Sequence, residues 1–209
     1  MSNPKETRLP DFLALNHRGK TPVLVDGDTL VNESLAILYY IEDYLGPNTP
    51  LLPARSDKTA RARVLSRIQE TENLHMTYDA LEDAHFDAAN AVTGPVADER
   101  RANLINAVYS ELAFWEKYAG EGDFIAGPSF TLADAAFFPF LGYMRHRGFE
   151  WNAHLPNLQR YYERVWARDC AQKAQPEGWT GRGRVNVFKG TRGGAQPLYQ
   201  AHERPDMAR

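Results

Sequence analysis

The stretch Asn16-His17-Arg18-Gly19-Lys20-Thr21-Pro22-Val23-Leu24-Val25-Asp26-Gly27, continued by Asn32-Glu33-Ser34-Leu35-Ala36-Ile37-Leu38-Tyr39-Tyr40, decides how the rest of the chain is read. Asn16 to Lys20 is a polar turn. Thr21 to Val25 is a short apolar run rich in β-branched residues, and Thr29-Leu30-Val31 is a second one. Asp26-Gly27-Asp28 between them predicts a hairpin. A helix is expected to start near Glu33, with Leu35, Ala36, Leu38, Tyr39 and Ile41 forming a mostly buried face and Gly46 ending it.

Upstream, residues 1–9 are polar, and Pro10 to Leu15 reads as a short helix with proline near its start. Downstream, Gly46 to Pro53 holds three prolines in eight residues. It reads as a linker, stiff at its prolines and pinned by Leu51 and Leu52. Beyond it the pattern is helical. Ser56 or Asp57 can cap a helix on which Val64, Ile68, Thr71, His75 and Tyr78 share one face. A second helix is predicted from Asp98 to Tyr118, with Leu104, Val108, Leu112 and Trp115 on one stripe and Gly120 after its end. Thr131-Leu132-Ala133-Asp134 is a capping box opening an apolar helix, with Asp in place of the usual Glu or Gln. Pro156 opens another, through Leu158, Tyr162, Val165 and Trp166. Residues 176–209 hold six Gly, and six Lys or Arg against three acids, and are expected to form an irregular tail over the surface or to be partly disordered.

Composition narrows the function classes. The chain has 209 residues, 43% hydrophobic and 24% charged, which excludes a wholly disordered chain. A net charge of -3 gives no global pull towards nucleic acid or anionic membrane. The single cysteine, Cys170, excludes an internal disulfide, a thiolate metal cluster and a CxxC redox pair; it reads as a small, inert packing residue. The six histidines show no HxxxH or HExxH spacing for a metal. Gly181-Arg182-Gly183-Arg184 and Arg192-Gly193-Gly194 are too few, without an aromatic platform, to make a nucleic-acid binder. No run approaches 18 apolar residues and the N-terminus has no apolar signal region, so the expected location is cytoplasmic.

The turn with Pro22-Val23-Leu24, the Asp26-Gly27 turn, Glu33-Ser34-Leu35-Ala36-Ile37, the linker Pro50-Leu51-Leu52-Pro53 and Thr131-x-x-Asp134 occur in the order in which the cytosolic glutathione transferases carry them. Over roughly residues 6 to 178 the chain resembles that family. The resemblance implies a mainly α fold: a truncated thioredoxin-like α/β part at residues 1–46, a linker at 47–55, an all-helical domain at 56–178 and a tail at 179–209. It implies glutathione as co-substrate, no metal, a small hydrophobic electrophile as second substrate, and a homodimer.

The implied glutathione site takes four residues. A cis proline at Pro22 exposes the backbone N–H and C=O of Thr21, which in the family pair with glutathione's cysteinyl backbone like an added strand. Ser34, through its hydroxyl and N–H, holds the γ-glutamyl carboxylate at a helix start, and Glu33 orients that end. Lys20 stands where some classes neutralise the glycyl carboxylate. Pro22, Thr131 and Asp134 are structural, and His75 and Tyr78 lie on the helix that lines the family's electrophile pocket. Taken singly, Glu33 and Ser34 also read as plain helix capping, Pro22 as an ordinary trans turn proline, and Lys20 as a solvated lysine.

The family's thiol-activating Tyr, Ser or Cys ends a first strand, in a strand–helix–strand segment that needs roughly 30 residues. Only 21 residues precede Pro22. The chain is therefore expected to lack the first βαβ unit, and its catalytic residue is unknown. The strand at Thr21–Val25 is expected to be an unpaired edge. His17, Arg18, His75 and Tyr78 are conceivable neighbours of a thiolate, none supported by the resemblance. Three functions remain: glutathione conjugation or glutathione-assisted turnover, in detoxification or natural-product tailoring; a non-catalytic scaffold; or a mis-started gene product.

Overall fold

The computed structural model describes residues 6–46, 50–86, 95–179 and 185–189. A 3-10 turn at Glu6–Arg8 leads into α1 (Pro10–Leu15), β1 (Val23–Asp26), β2 (Thr29–Asn32) and α2 (Ser34–Tyr40), which runs on through a π-helical turn at Ile41–Leu45. The remaining elements are α3 (Lys58–Phe86), α4 (Pro95–Gly120), α5 (Leu132–His146), α6 (Pro156–Trp166) and α7 (Asp169–Lys173). The chain divides into two compact units at Arg61. The fold is mainly α: a truncated thioredoxin-like part followed by an all-helical domain.

In the first unit, β1 and β2 pair antiparallel from Val23–Asn32 to Asp26–Thr29 and form a two-stranded sheet. The turn residues are thus Gly27 and Asp28, and Gly27 takes the positive φ of 56° that such a turn needs. The Tyr40 hydroxyl donates to Asp26 Oδ2 at 2.9 Å and ties the end of α2 back to the hairpin. The expected mostly buried face of α2 is a half-buried one. No α2 residue is fully buried, and Ala36 and Ile41 are exposed. A sheet of two strands offers too narrow a surface to cover a whole helix face.

Part of the linker, residues 47–49, lies outside the described residues. The rest is fixed from α2's extension: Glu42 Oε1 accepts the amides of Leu51 and Leu52 at 2.7 and 2.8 Å, and Leu52 is buried. Asp57 caps α3, its Oδ1 accepting the Ala60 amide at 3.0 Å.

The second unit holds the core. Trp115 of α4 stacks on Phe137 of α5 with ring centroids 3.9 Å apart, and both are fully buried. On α3 the buried stripe is Val64, Ile68, Thr71, Leu74, Tyr78 and Leu81. His75, expected on that face, is exposed, because Leu74 takes its place one residue earlier. On α4 the stripe begins at Ile105 rather than Leu104, and Gly120 is the last helical residue. Asp134 accepts the Thr131 amide at 2.7 Å and the Thr131 hydroxyl at 3.0 Å, and its other oxygen accepts the Ile125 amide at 2.9 Å.

Two expectations are corrected. Cys170 is exposed on α7 rather than packed in the core. Within the predicted irregular tail, the short segment 185–189 enters the core: the Val187 amide donates to Arg147 O at 2.8 Å, and Phe188 is buried against Tyr78 and Phe149. The glycine- and arginine-rich motifs of that tail lie outside the described residues.

Candidate functional site

The first unit's turn between α1 and β1 is organised by Asn16. Its side chain is buried; Oδ1 accepts the Arg18 amide at 3.0 Å and Nδ2 donates to Lys20 O at 2.7 Å. This is an Asx turn, and it sets the path of residues 17–20. Gly19 sits at φ 61°, where a Cβ would lie 2.8 Å from Thr7 O, so only glycine fits. Lys20 emerges exposed at the end of the turn, and His17 and Arg18 are exposed beside it.

The Thr21–Pro22 peptide bond is cis. Among the described residues, neither the amide nor the carbonyl of Thr21 has a hydrogen-bond partner. One residue beyond the Val23–Asn32 pair, at the same open end of the hairpin, stands Glu33. Its φ of 71° and ψ of 125° are a conformation that costs a non-glycine residue on the order of 1–3 kcal/mol. Glu33 O accepts the first helical bond, from Ile37 N at 2.9 Å, while neither its side chain nor that of Ser34 caps the helix. The amides of Ser34, Leu35 and Ala36 therefore stand at an uncapped helix start, beside an exposed hydroxyl and an exposed carboxylate. Lys20, Thr21, Glu33 and Ser34 all lie in this one unit, exposed.

In the second unit, His75 and Tyr78 have different surroundings. His75 is exposed, 3.5 Å from Asp79 and edge-on to Phe140. Tyr78 is fully buried among Phe140, Tyr143 and Phe188, and its hydroxyl has no partner. Burial pushes that phenol well above its ordinary value. Beside it Tyr143 donates to Glu82 Oε1 at 2.6 Å, and Arg147 Nε lies 3.0 Å from the Tyr143 hydroxyl and 3.1 Å from Glu82. Burial, then the hydrogen bond to Glu82, pushes the Tyr143 phenol up to about 12. At the far end of α3, both terminal nitrogens of Arg101 donate to His85 Nδ1, at 2.7 and 3.1 Å, which makes His85 an acceptor there. No cluster of three metal-ligating side chains occurs among the described residues, and no described helix is long and apolar enough to cross a membrane.

Sequence reading of this region missed the role of Asn16, which orders the turn that presents Lys20 and Thr21. The signal was available: an Asn that opens a turn ending in Gly19 is a candidate Asx turn.

Comparison with known proteins points the same way. The family model of the glutathione S-transferase N-terminal domain matches residues 1–43, and that of the C-terminal domain matches residues 98–164. Glutathione S-transferase 3 of Zea mays is 35% identical over 171 residues, which span 78% of this chain and 74% of that protein. Glutathione S-transferase Z2 of Arabidopsis thaliana is 33% identical over 80% of this chain and 73% of its own length. Among solved structures, a glutathione S-transferase from the Antarctic clam Laternula elliptica superposes with a TM-score of 0.73 at 31% identity, covering 88% of this chain and 82% of the clam protein.

Proposed function

The chain belongs to the glutathione S-transferase family, and from that premise we infer that it binds glutathione at Lys20, Thr21, Glu33 and Ser34 and joins its sulfur to a small hydrophobic electrophile. The observation that carries this reading is the uncapped start of α2 beside the unpartnered backbone of Thr21. If Glu33 and Ser34 served only to cap a helix, their side chains would bond its amides; they do not.

Each group has a matching part of the tripeptide. The Ser34 hydroxyl and the amides of the first turn suit the γ-glutamyl carboxylate, which the positive end of the helix also favours. Glu33 suits the neighbouring γ-glutamyl ammonium. The Thr21 amide and carbonyl suit the cysteinyl backbone, in the manner of an added strand. Lys20 suits the glycyl carboxylate. In the reaction the cysteine sulfur gives up its proton to solvent or a nearby base and forms a bond to the electrophilic carbon, which either releases a leaving group with its electron pair or passes the pair of its π bond to the neighbouring atom, where a proton from solvent is taken up. No residue of this chain is assigned to lower the thiol pKa. A role in detoxification or in natural-product tailoring and a homodimeric assembly follow from family membership as further parts of the proposal.

Calorimetric titration of glutathione into the full chain tests the reading. Saturable binding in the micromolar to low millimolar range is the expected result. No binding to a folded protein overturns it and leaves a non-catalytic role for the domain.

A further inference from the structure

The hairpin of the first unit has an open edge. A two-residue turn at Gly27-Asp28 requires Asp26 and Thr29 to exchange both backbone bonds, so in the alternating antiparallel ladder Leu24 and Val31 are the next bonded pair. The N–H and C=O groups of Val23 and Val25 therefore point away from β2. Among the described residues they have no hydrogen-bond partner. β1 also lacks the usual guards of an edge strand. It has no Lys, no Pro and no bulge, and its one charged side chain, Asp26, accepts the Tyr40 hydroxyl at the turn end.

The edge adjoins an exposed apolar pair. Val25 and Leu30 stand opposite each other and are 56% and 41% exposed. Cross-strand partners share a face and successive residues alternate between faces, so Val23 lies with them. Leu24, Asp26 and Val31 lie on the other face, to which Tyr40 ties α2. A sheet of two strands is marginal, and further strands stabilise it.

The strand that fits this edge is a second copy of β1. Two antiparallel strands of one sequence are self-complementary about a two-fold axis. With Leu24 opposite Leu24 of the second copy, Val23 of each copy meets Val25 of the other, and every outward N–H finds a carbonyl. Charge selects the same direction. Arg18 and Lys20 precede β1, Asp26 and Asp28 stand at its turn end, and all four are exposed. Antiparallel pairing brings the cationic end of each copy to the acidic turn of the other, whereas parallel pairing sets like charges together. Val23, Val25 and Leu30 of both copies then form one apolar cluster. We propose that two copies of this chain pair edge to edge through β1, with Leu24 on the two-fold axis, into one continuous four-stranded antiparallel sheet.

Sedimentation equilibrium of the full chain tests the pairing. It is run without glutathione, so its outcome does not depend on the site at Lys20, Thr21, Glu33 and Ser34. A few backbone bonds and one small apolar cluster make a weak interface, and a monomer–dimer midpoint of roughly 10–100 μM is expected. Val25→Pro removes an N–H that the hairpin does not use and is expected to raise the dissociation constant at least tenfold. Cysteine cross-linking reads the register. Leu24 and its copy form a non-bonded pair with Cα atoms about 4.5 Å apart, within reach of a disulfide, while the two Val31 residues lie beyond it on the outer strands. The background is Cys170→Ser, which removes the exposed native thiol. In it, Leu24→Cys is expected to give a disulfide dimer under mild oxidation and Val31→Cys to give none. Thermal melting by circular dichroism checks that each variant is folded. If Val25→Pro does not fold, the cysteine pair decides by itself. A monomer throughout this concentration range overturns the proposal. So does a dimer that Val25→Pro leaves intact, or cross-linking that does not distinguish Leu24→Cys from Val31→Cys.

Discussion

Glu116 caps a helix that begins 40 residues further along the chain. Its Oε2 accepts the Leu158 amide at 2.8 Å and its Oε1 the Asn157 amide at 2.9 Å. Leu155, the residue preceding α6, provides no side-chain cap, and Pro156 has no N–H to satisfy. The two orphan donors of the first turn are thus met from α4, and the cap also staples α4 to α6. Glu116→Ala is expected to destabilise the protein by about 1–3 kcal/mol, since two amides lose a charged acceptor. Glu116→Gln retains one carbonyl oxygen and should lose roughly half as much. Urea unfolding of the three proteins measures both; equal stability of wild type and Glu116→Ala would show that water replaces the cap at no cost.

Ser34 is exposed and caps nothing, so its removal separates binding from stability. Ser34→Ala is expected to leave the melting temperature within a degree or so while weakening glutathione by about 1–3 kcal/mol, the range for a charged group losing a hydrogen-bond partner. Calorimetry gives the dissociation constant and differential scanning fluorimetry the stability. An unchanged constant removes Ser34 from the site. A fall in stability instead would return it to helix capping.

Tyr78 is buried with an unpartnered hydroxyl, which is costly in a core. Tyr78→Phe keeps the ring contacts to Phe140, Tyr143 and Phe188 and deletes that oxygen. The variant is expected to be as stable as wild type or more stable by up to about 1 kcal/mol. Conjugation of a model electrophile should be unaltered. Loss of conjugation at unchanged stability would instead put the Tyr78 hydroxyl in contact with the acceptor.

Legibility followed the range of the interaction. The hairpin, α1, α5 and the start of α6 were readable, because Gly27, Pro10, Thr131–Asp134 and Pro156 act on their own neighbours. The Glu33-Ser34 motif could be read as a candidate site, but whether it capped α2 could not, since capping depends on side-chain geometry. Long-range contacts left little local trace. Nothing near Glu116 announces Leu158, and nothing near Phe188 announces Tyr78. His75 was misplaced for a different reason: with steps of three and four both allowed, Leu74 and His75 compete for one face, and burial goes to the apolar residue.

His85 should make stability depend on pH. Arg101 donates to its Nδ1 through both terminal nitrogens, so the folded state holds the ring neutral. Burial first, and the Arg101 charge second, lower its pKa from the ordinary 6.5. The unfolded chain therefore takes up a proton near the ordinary value that the folded chain resists. Below that value the unfolded state binds more protons, and stability is lost as pH falls until the folded histidine also titrates. His146 is shifted in the same direction by burial and by Arg147, so it contributes to the same slope. Going from about pH 7.5 to about pH 5, His85→Gln is expected to lose less unfolding free energy than wild type, while His146 retains part of the dependence. Parallel losses in the two proteins would mean that the contact with Arg101 does not hold His85 neutral in solution.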